Sequence, residues 1–165
     1  MDFRDALKSV QNSDVYKDWS GQHKDNYLAN AFIMLDVQLQ GNWQFGYYTR
    51  NNRKITTFSV EGSIKLMPED DVFQKDKEDI PALNMGSVET GFDDILENAM
   101  SFQRKNYPMN NPQKIIVILQ NNGNEQMWNL TFLSSSLETL NLNICPVTGK
   151  ILRNKLTSIF SFGAK

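Results

Sequence analysis

The sequence holds one cysteine and one histidine in 165 residues. With Cys145 alone, no internal disulfide can form, and that suits a reducing compartment. A zinc site wants three or four protein ligands, which His23 and a distant Cys145 do not supply. Charge of one sign is also lacking, because 17 Lys and Arg face 19 Asp and Glu, for a net charge of −2. Phosphate binding depends on concentrated cations, and here the basic residues are scattered among acids, so no nucleic-acid partner is expected. No stretch approaches eighteen uninterrupted apolar residues, and no membrane span is expected. The start, MDFRDALKSV, lacks the apolar run of a signal peptide, so the expected location is cytoplasmic. Glycine-rich phosphate loops, GxSxG and HExxH are all missing, and no cofactor is expected.

What is present is ordinary globular material, 40% hydrophobic and 22% charged, in a chain long enough to bury a core. Asp2 can cap a first helix whose Phe3, Ala6, Leu7 and Val10 recur at helical spacing. A short second helix or turn carries Val15, Tyr16 and Trp19, and residues 20–26 read as a polar loop. Residues 27–38 form a strand with Phe32 and Met34 on one face and Ala31, Ile33, Leu35 and Val37 on the other. Gly41-Asn42 reads as the hairpin turn after it. Trp43, Phe45 and Tyr47 alternate along the next strand, residues 50–53 turn, and residues 54–60 form a β-branched third strand. Gly62 marks a turn before a short fourth strand, 63–67.

Residues 68–86 differ in character. Pro68 and Pro81 break helices, and Glu69, Asp70, Asp71, Asp76, Glu78 and Asp79 make the stretch acidic, with Lys75 and Lys77 among them. It reads as a solvated connection between two halves, 1–67 and 87–165, pinned by Val72, Phe73, Ile80 and Leu83. Ser87 is the expected cap of the main helix, whose stripe is Val88, Phe92, Ile95, Ala99 and Phe102, widened by Leu96 and Met100. Strands are expected at 114–120, 126–134 and 137–145, then a turn at 146–149 and a last short strand from Lys150. The tail, with Leu156, Ile159, Phe160 and Phe162, is apolar enough to dock.

Three anchors recur in order. FRDALKSV at Phe3 resembles FDDILENA at Phe92, Trp43 resembles Trp128, and GSIKL at Gly62 resembles GKIL at Gly149. They lie 89, 85 and 87 positions apart, which points to one duplication with small insertions. The second half also resembles the PepSY family over about residues 87–152. The matching residues are Trp128-Asn129-Leu130-Thr131-Phe132 and then Asn143-Ile144-Cys145-Pro146-Val147-Thr148-Gly149-Lys150-Ile151-Leu152. The family's Asp-Ala-x-Thr-Gly turn is matched at Thr148-Gly149, while Cys145 stands where the acidic residue would be. The resemblance implies an α+β fold of two similar halves, each a helix packed on an antiparallel sheet in the PepSY or cystatin-like manner. It also implies a non-catalytic role in binding or restraining peptidases. The family's link with the cell envelope is not carried over, for want of a signal peptide.

No residues assemble a plain reaction centre. His23 sits in a polar loop, and Cys145, at a strand end, reads as a small buried hydrophobe. Asp93-Asp94 and Asp70-Asp71 are adjacent in sequence, and adjacent helical positions do not face each other. Asn129-Leu130-Thr131 matches a glycosylation pattern by chance, inside a predicted strand. The rows Trp43-Phe45-Tyr47 and Trp128-Leu130-Phe132 are read as packing under helices, with an outward row as the alternative that would contact a peptide or small apolar ligand. The expected function is a non-enzymatic binding or regulatory module for a protein or peptide. The alternative is a small-ligand pocket protein or enzyme on a curved sheet. The candidate partner-binding residues are Tyr48, Arg50 and Arg53 on one hairpin, because Arg and Tyr recur in binding hot spots.

Overall fold

The computed structural model describes residues 1–71 and 78–158. It is α+β. Two helices, α1 (Phe3–Asn12) and α2 (Asp14–Gln22), precede strands β1 (Asn26–Leu35), β2 (Gln44–Thr49), β3 (Lys54–Glu61), β4 (Ser63–Leu66) and the two-residue β5 (Asp70–Asp71). A 3₁₀ turn at Met85–Ser87 leads to α3 (Phe92–Asn106). Strands β6 (Pro112–Asn121), β7 (Gln126–Ser134), β8 (Glu138–Ile144) and β9 (Ile151–Ser158) complete the described chain. All the strands join one antiparallel sheet in the order β4-β3-β2-β1-β6-β7-β8-β9, with β5 on β3 beside β4. Each run of four consecutive strands is sequential, and the two runs meet where β1 pairs with β6.

The helices start where their sequences say. The Asp2 carboxylate accepts from the Arg4 and Asp5 amides, which α1 otherwise leaves without partners. Phe3, Ala6, Leu7 and Val10 are its buried stripe. Ser13 closes α1 and caps α2 by accepting from the Tyr16 amide. The strands obey a period of two. Along β7 the buried residues Trp128, Leu130 and Phe132 alternate with half-buried Asn129, Thr131 and Leu133, so one face meets the helices. That inner face is filled by Ala31, Ile33 and Leu35, Phe45 and Tyr47, Phe58, Val117 and Leu119, Leu140 and Leu142. Both aromatic rows are core.

At the seam between the two runs sits an aromatic cluster. Phe3 lies 5.1 Å from Trp43 and 5.3 Å from Trp128, while Phe92 lies 4.8 Å and 5.4 Å from the same two rings. Each phenylalanine opens a helix, and each contacts the tryptophan of the other run as well as its own. Gly62 and Gly149 also share a conformation, with φ of +73° and +72° before β4 and β9 respectively, where a side chain would be strained.

Several expectations need correction. Ser87 is not the helix cap. The Glu89 and Thr90 amides donate to the Pro146 carbonyl and the Thr90 hydroxyl to that of Val147, which holds 88–90 off the helix axis until Gly91. The fourth buried position of α3 is Gln103 rather than Phe102, because its amide donates to the Tyr107 and Asn110 carbonyls at the helix end. Ser20 to Gln22 belong to α2, and the strand after Gly149 runs for eight residues. In the connection, Asp70 and Asp71 pair with Ile55 and Lys54. Val72, Phe73, Lys75, Asp76 and Lys77, and the tail residues Ile159, Phe160 and Phe162, lie outside the described residues.

Candidate functional site

The described helices pack against one face of the sheet, and none of them packs on the other. On β1 and β6 the register sets Asn30 beside Gln120, Phe32 beside Ile118 and Met34 beside Ile116 on this outer face. Toward β8 it continues through Asn129 beside Asn143 and Thr131 beside Asn141. The outer face is therefore apolar at the seam and neutral polar beyond it. The polar part is a ladder of amides. Asn129 donates to Asn143 at 2.8 Å, and Asn141 donates to Asn129 and to Thr131, each at 2.9 Å. Such a ladder satisfies its own groups while keeping lone pairs and N–H groups turned outward. On the β2 side, Gly46 makes room for the Asn30 carboxamide, because a Cβ there would stand 2.6 Å from its oxygen. A shallow hollow of about 340 Å³ opens beside it, lined by Asn30, Phe32, Gln44, Thr57, Ile118 and Gln120.

One end of this face is crossed by the connection, and there the three candidate residues are brought together. Tyr48 is 1% exposed, and its hydroxyl donates to Asp79 at 2.9 Å. Arg50 lies 3.7 Å from the same carboxylate and 5.2 Å over the Tyr27 ring. Arg53, turned by φ of 56°, donates to the Glu78 carbonyl at 3.0 Å. Tyr27 donates to the Ile80 carbonyl, and its ring lies 5.5 Å from that of Tyr48. Farther along, the Leu83 amide donates to the Leu28 carbonyl at 2.9 Å. The hairpin thus clasps residues 78–83 of its own chain. Tyr48 is withdrawn from the surface, while Arg50 keeps most of its side chain in solvent. Sequence reasoning found the arginines and missed Asp79 and Tyr27. Their signal was an acidic stretch long enough to return to the basic turn.

A second concavity lies at the seam, outside the aromatic cluster. It has a volume of about 650 Å³, with Trp43, Phe92, Ile33, Leu35 and Leu96 for walls and the 39–41 hairpin along one side. Asp2 and Asp93 reach its rim, each in the first turn of a helix or at its cap.

His23 and Cys145 are separate. The His23 ring stacks on Trp19 at 4.8 Å, and its Nδ1 lies 2.7 Å from the Trp19 carbonyl oxygen, at the end of α2. Cys145 is half-buried in the turn before β9, where the Thr148 hydrogen bonds draw its thiol pKa below the usual value. Asp93 and Asp94 stand at the positive end of α3, and Asp70 and Asp71 in β5. Asn129-Leu130-Thr131 lies mid-strand with Leu130 buried. Among the described residues, no group of three or more His, Cys, Asp and Glu is placed to hold a metal ion. No described helix is long and apolar enough to cross a membrane.

No protein-family model and no curated protein matches the sequence. Among solved structures the chain is similar to a protein of Clostridium difficile 630 described as a putative lipoprotein, at a TM-score of 0.56 and 9% identity, over 87% of this chain and 91% of that one. At that identity the likeness concerns the fold.

Proposed function

We propose that the chain is a non-catalytic binding module for a protein or peptide, built as a tandem duplication of a PepSY-like unit. The observation that carries the binding reading is the outer sheet face. Met34, 40% exposed, and half-buried Phe32, Ile116 and Ile118 lie on it beside an amide ladder. Such a face, apolar at its centre and hydrogen-bonding at its margin, has the anatomy of a recognition surface. The clasped hairpin stands at its rim, where Arg50 and Arg53 form part of the contact and Tyr48 supports them from below. The duplication is supported by the two sequential runs of four strands, the helix-opening Phe3 and Phe92 around Trp43 and Trp128, and the matched conformations of Gly62 and Gly149. A peptidase is the partner class, on the strength of the resemblance.

The test is affinity capture from the native cell with the wild-type chain and with Ile118→Glu, each checked for an unchanged melting temperature. A partner held by the wild type and lost by the variant is expected. Equal capture by both removes the outer face, and a partner that is not a peptidase removes that part of the reading. The single cysteine favours a reducing compartment, and recovery from an extracytoplasmic fraction would overturn that placement.

A second reading, a small-ligand pocket protein, draws on the seam concavity, whose volume lies in the range of ligand sites. Because Trp43 forms a wall, a ligand there would change the protein's tryptophan fluorescence. A screen of apolar small molecules that leaves the emission unchanged disposes of it.

A further inference from the structure

The turn between β6 and β7 holds the sequence's one Asn–Gly step, Asn122-Gly123. Both residues are exposed. The Asn122 amide donates to the Glu125 carbonyl at 3.1 Å. The Asn122 carboxamide oxygen accepts from the Asn124 and Glu125 amides, each at 3.0 Å. The Gly123 amide donates to the Asn121 carboxamide oxygen at 2.8 Å. Gly123 takes φ of +95°, a conformation that suits glycine.

This turn meets three requirements of one reaction. The backbone nitrogen after an asparagine is a nucleophile that closes a five-membered ring on the asparagine's own carboxamide carbon, and Gly123 has no side chain to crowd it. The Gly123 nitrogen also lies beyond the strand ladder, whose last pair is Asn121 with Gln126, so its attack breaks no strand pairing. Finally, two N–H groups already point at the Asn122 carboxamide oxygen, where negative charge develops as the carbon becomes tetrahedral, and such donors stabilise it. Asn129, Asn141 and Asn143 differ, because the residue after each is bulky and paired in the sheet. Asn51 and Asn121 are each followed by another asparagine.

We infer that Asn122 is a site of spontaneous covalent modification, where the carboxamide is exchanged for a carboxylate with water as the co-reactant. The Gly123 nitrogen gives its proton to solvent and bonds to the Asn122 carboxamide carbon. The Cγ–Nδ2 bond breaks, ammonia leaves, and a cyclic imide remains. Water then opens the imide at either carbonyl. One opening gives aspartate, and the other gives isoaspartate, in which the chain runs through the former side chain. One water is consumed, one ammonia is released, and nothing is oxidised or reduced. Each event adds a negative charge to a chain whose net charge is −2.

The two products act differently on the fold. Aspartate keeps the bonds from the Asn124 and Glu125 amides and makes their acceptor charged. Isoaspartate lengthens the backbone of the turn and moves that acceptor away. The turn is stitched to the connection, where Asn121 donates to the Ala82 carbonyl at 3.2 Å. Gln126 also exchanges hydrogen bonds of 2.7 and 2.9 Å with the Asn84 backbone. Isoaspartate therefore loosens residues 82–84 together with the strand ends, whatever the chain binds.

The test keeps the full chain and a capped peptide of residues 118–127 side by side at neutral pH in heavy-oxygen water, followed by digestion and fragment mass spectrometry. Asn122 should be lost from the folded chain within about tenfold of the time the peptide takes. It should go ahead of every other asparagine, take up one labelled oxygen per event, and give isoaspartate among the products. Amide NMR signals of residues 82–84 and 121–126 should shift in the isoaspartate fraction. Asn122→Gln, whose longer side chain would need a six-membered ring, should stay unconverted at that position. A folded chain that holds Asn122 intact beyond that span, or that loses another asparagine first, overturns the assignment. Conversion without the labelled oxygen overturns the imide route.

Discussion

Two neighbouring tyrosines show how side chains of one type come to hold different amounts of stability. Tyr47 faces inward among Tyr16, Trp19 and Phe58, and its hydroxyl is buried without a hydrogen-bond partner. Tyr48 faces the other way and donates to the half-exposed Asp79. Removing an unsatisfied buried hydroxyl relieves a desolvation cost, so Tyr47→Phe should be neutral or stabilising by up to about 1 kcal/mol. A hydrogen bond to a charged group contributes more, so Tyr48→Phe should destabilise by about 1.5–3 kcal/mol. Arg50→Ala, which breaks an exposed ion pair with the same carboxylate, should cost less than about 1 kcal/mol. Urea titrations of the three variants check the order, and a Tyr47→Phe protein less stable than wild type would contradict it. The same burial acts on pH dependence. It raises both phenol pKa values, that of Tyr48 further by its bond to Asp79. An unfolded tyrosine ionises near pH 10, so the two contribute in full below about that pH and lose their contribution as pH rises through the folded values. Phenolate absorbance should therefore rise together with unfolding above about pH 10, and less steeply in Tyr47→Phe with Tyr48→Phe.

At the scale of elements, one glycine serves approach where the sequence suggests a turn. The Gly41-Asn42 pair reads as a tight hairpin turn, yet the reversal is made upstream. Asp36 accepts from the Gln38 and Gln40 amides, and Leu39 takes the positive φ of 59°. Gly41 instead passes so close to β1 that a Cβ would stand 2.1 Å from the Met34 carbonyl oxygen. Backbone is what it would strike, so Gly41→Ala must displace the hairpin, at a cost of about 1–3 kcal/mol. Because the hairpin also borders the seam concavity, the displacement should show as altered Trp43 emission. A variant with wild-type stability and emission would refute that account. The periodic elements, α1 and the strands from β6 to β8, were legible in the sequence because each buries a regular stripe. The start of α3 was not, since Ser87 is a fit cap locally and loses to hydrogen bonds from a turn nearly sixty residues away. Nor was β5, whose two aspartates carry no strand preference and pair through backbone alone. The clasp escaped for the same reason, because Tyr48, Arg50 and Arg53 looked like a free surface until Glu78 and Asp79 were placed on them. The outer face was legible as alternation, but which of two alternate faces stays uncovered depends on where helices pack.

For the whole molecule, the seam decides whether this is one cooperative unit or two. The sheet crosses it through six consecutive pairs from Asn30–Gln120 to Leu35–Ile115. The aromatic cluster crosses it on the helix side, with Phe92 at 4.8 Å from Trp43 and Phe3 at 5.3 Å from Trp128. Neither phenylalanine can be fully buried by its own run alone, because each rests against the tryptophan of the other. Edge-to-face aromatic pairs contribute about 0.5–1.5 kcal/mol beyond the area they bury. Side chains in contact also fail to add, and a double-mutant cycle measures that failure. Phe92→Leu and Trp43→Phe, alone and together, should therefore show a coupling energy of about 0.5–1.5 kcal/mol. The equivalent cycle with Phe3→Leu and Trp128→Phe should agree with it in sign. Each variant should unfold in a single transition seen alike by far-UV circular dichroism and tryptophan emission. Additive variants, or two separable transitions, would mean that each run of four strands carries its own stability and that the seam is a contact between finished units.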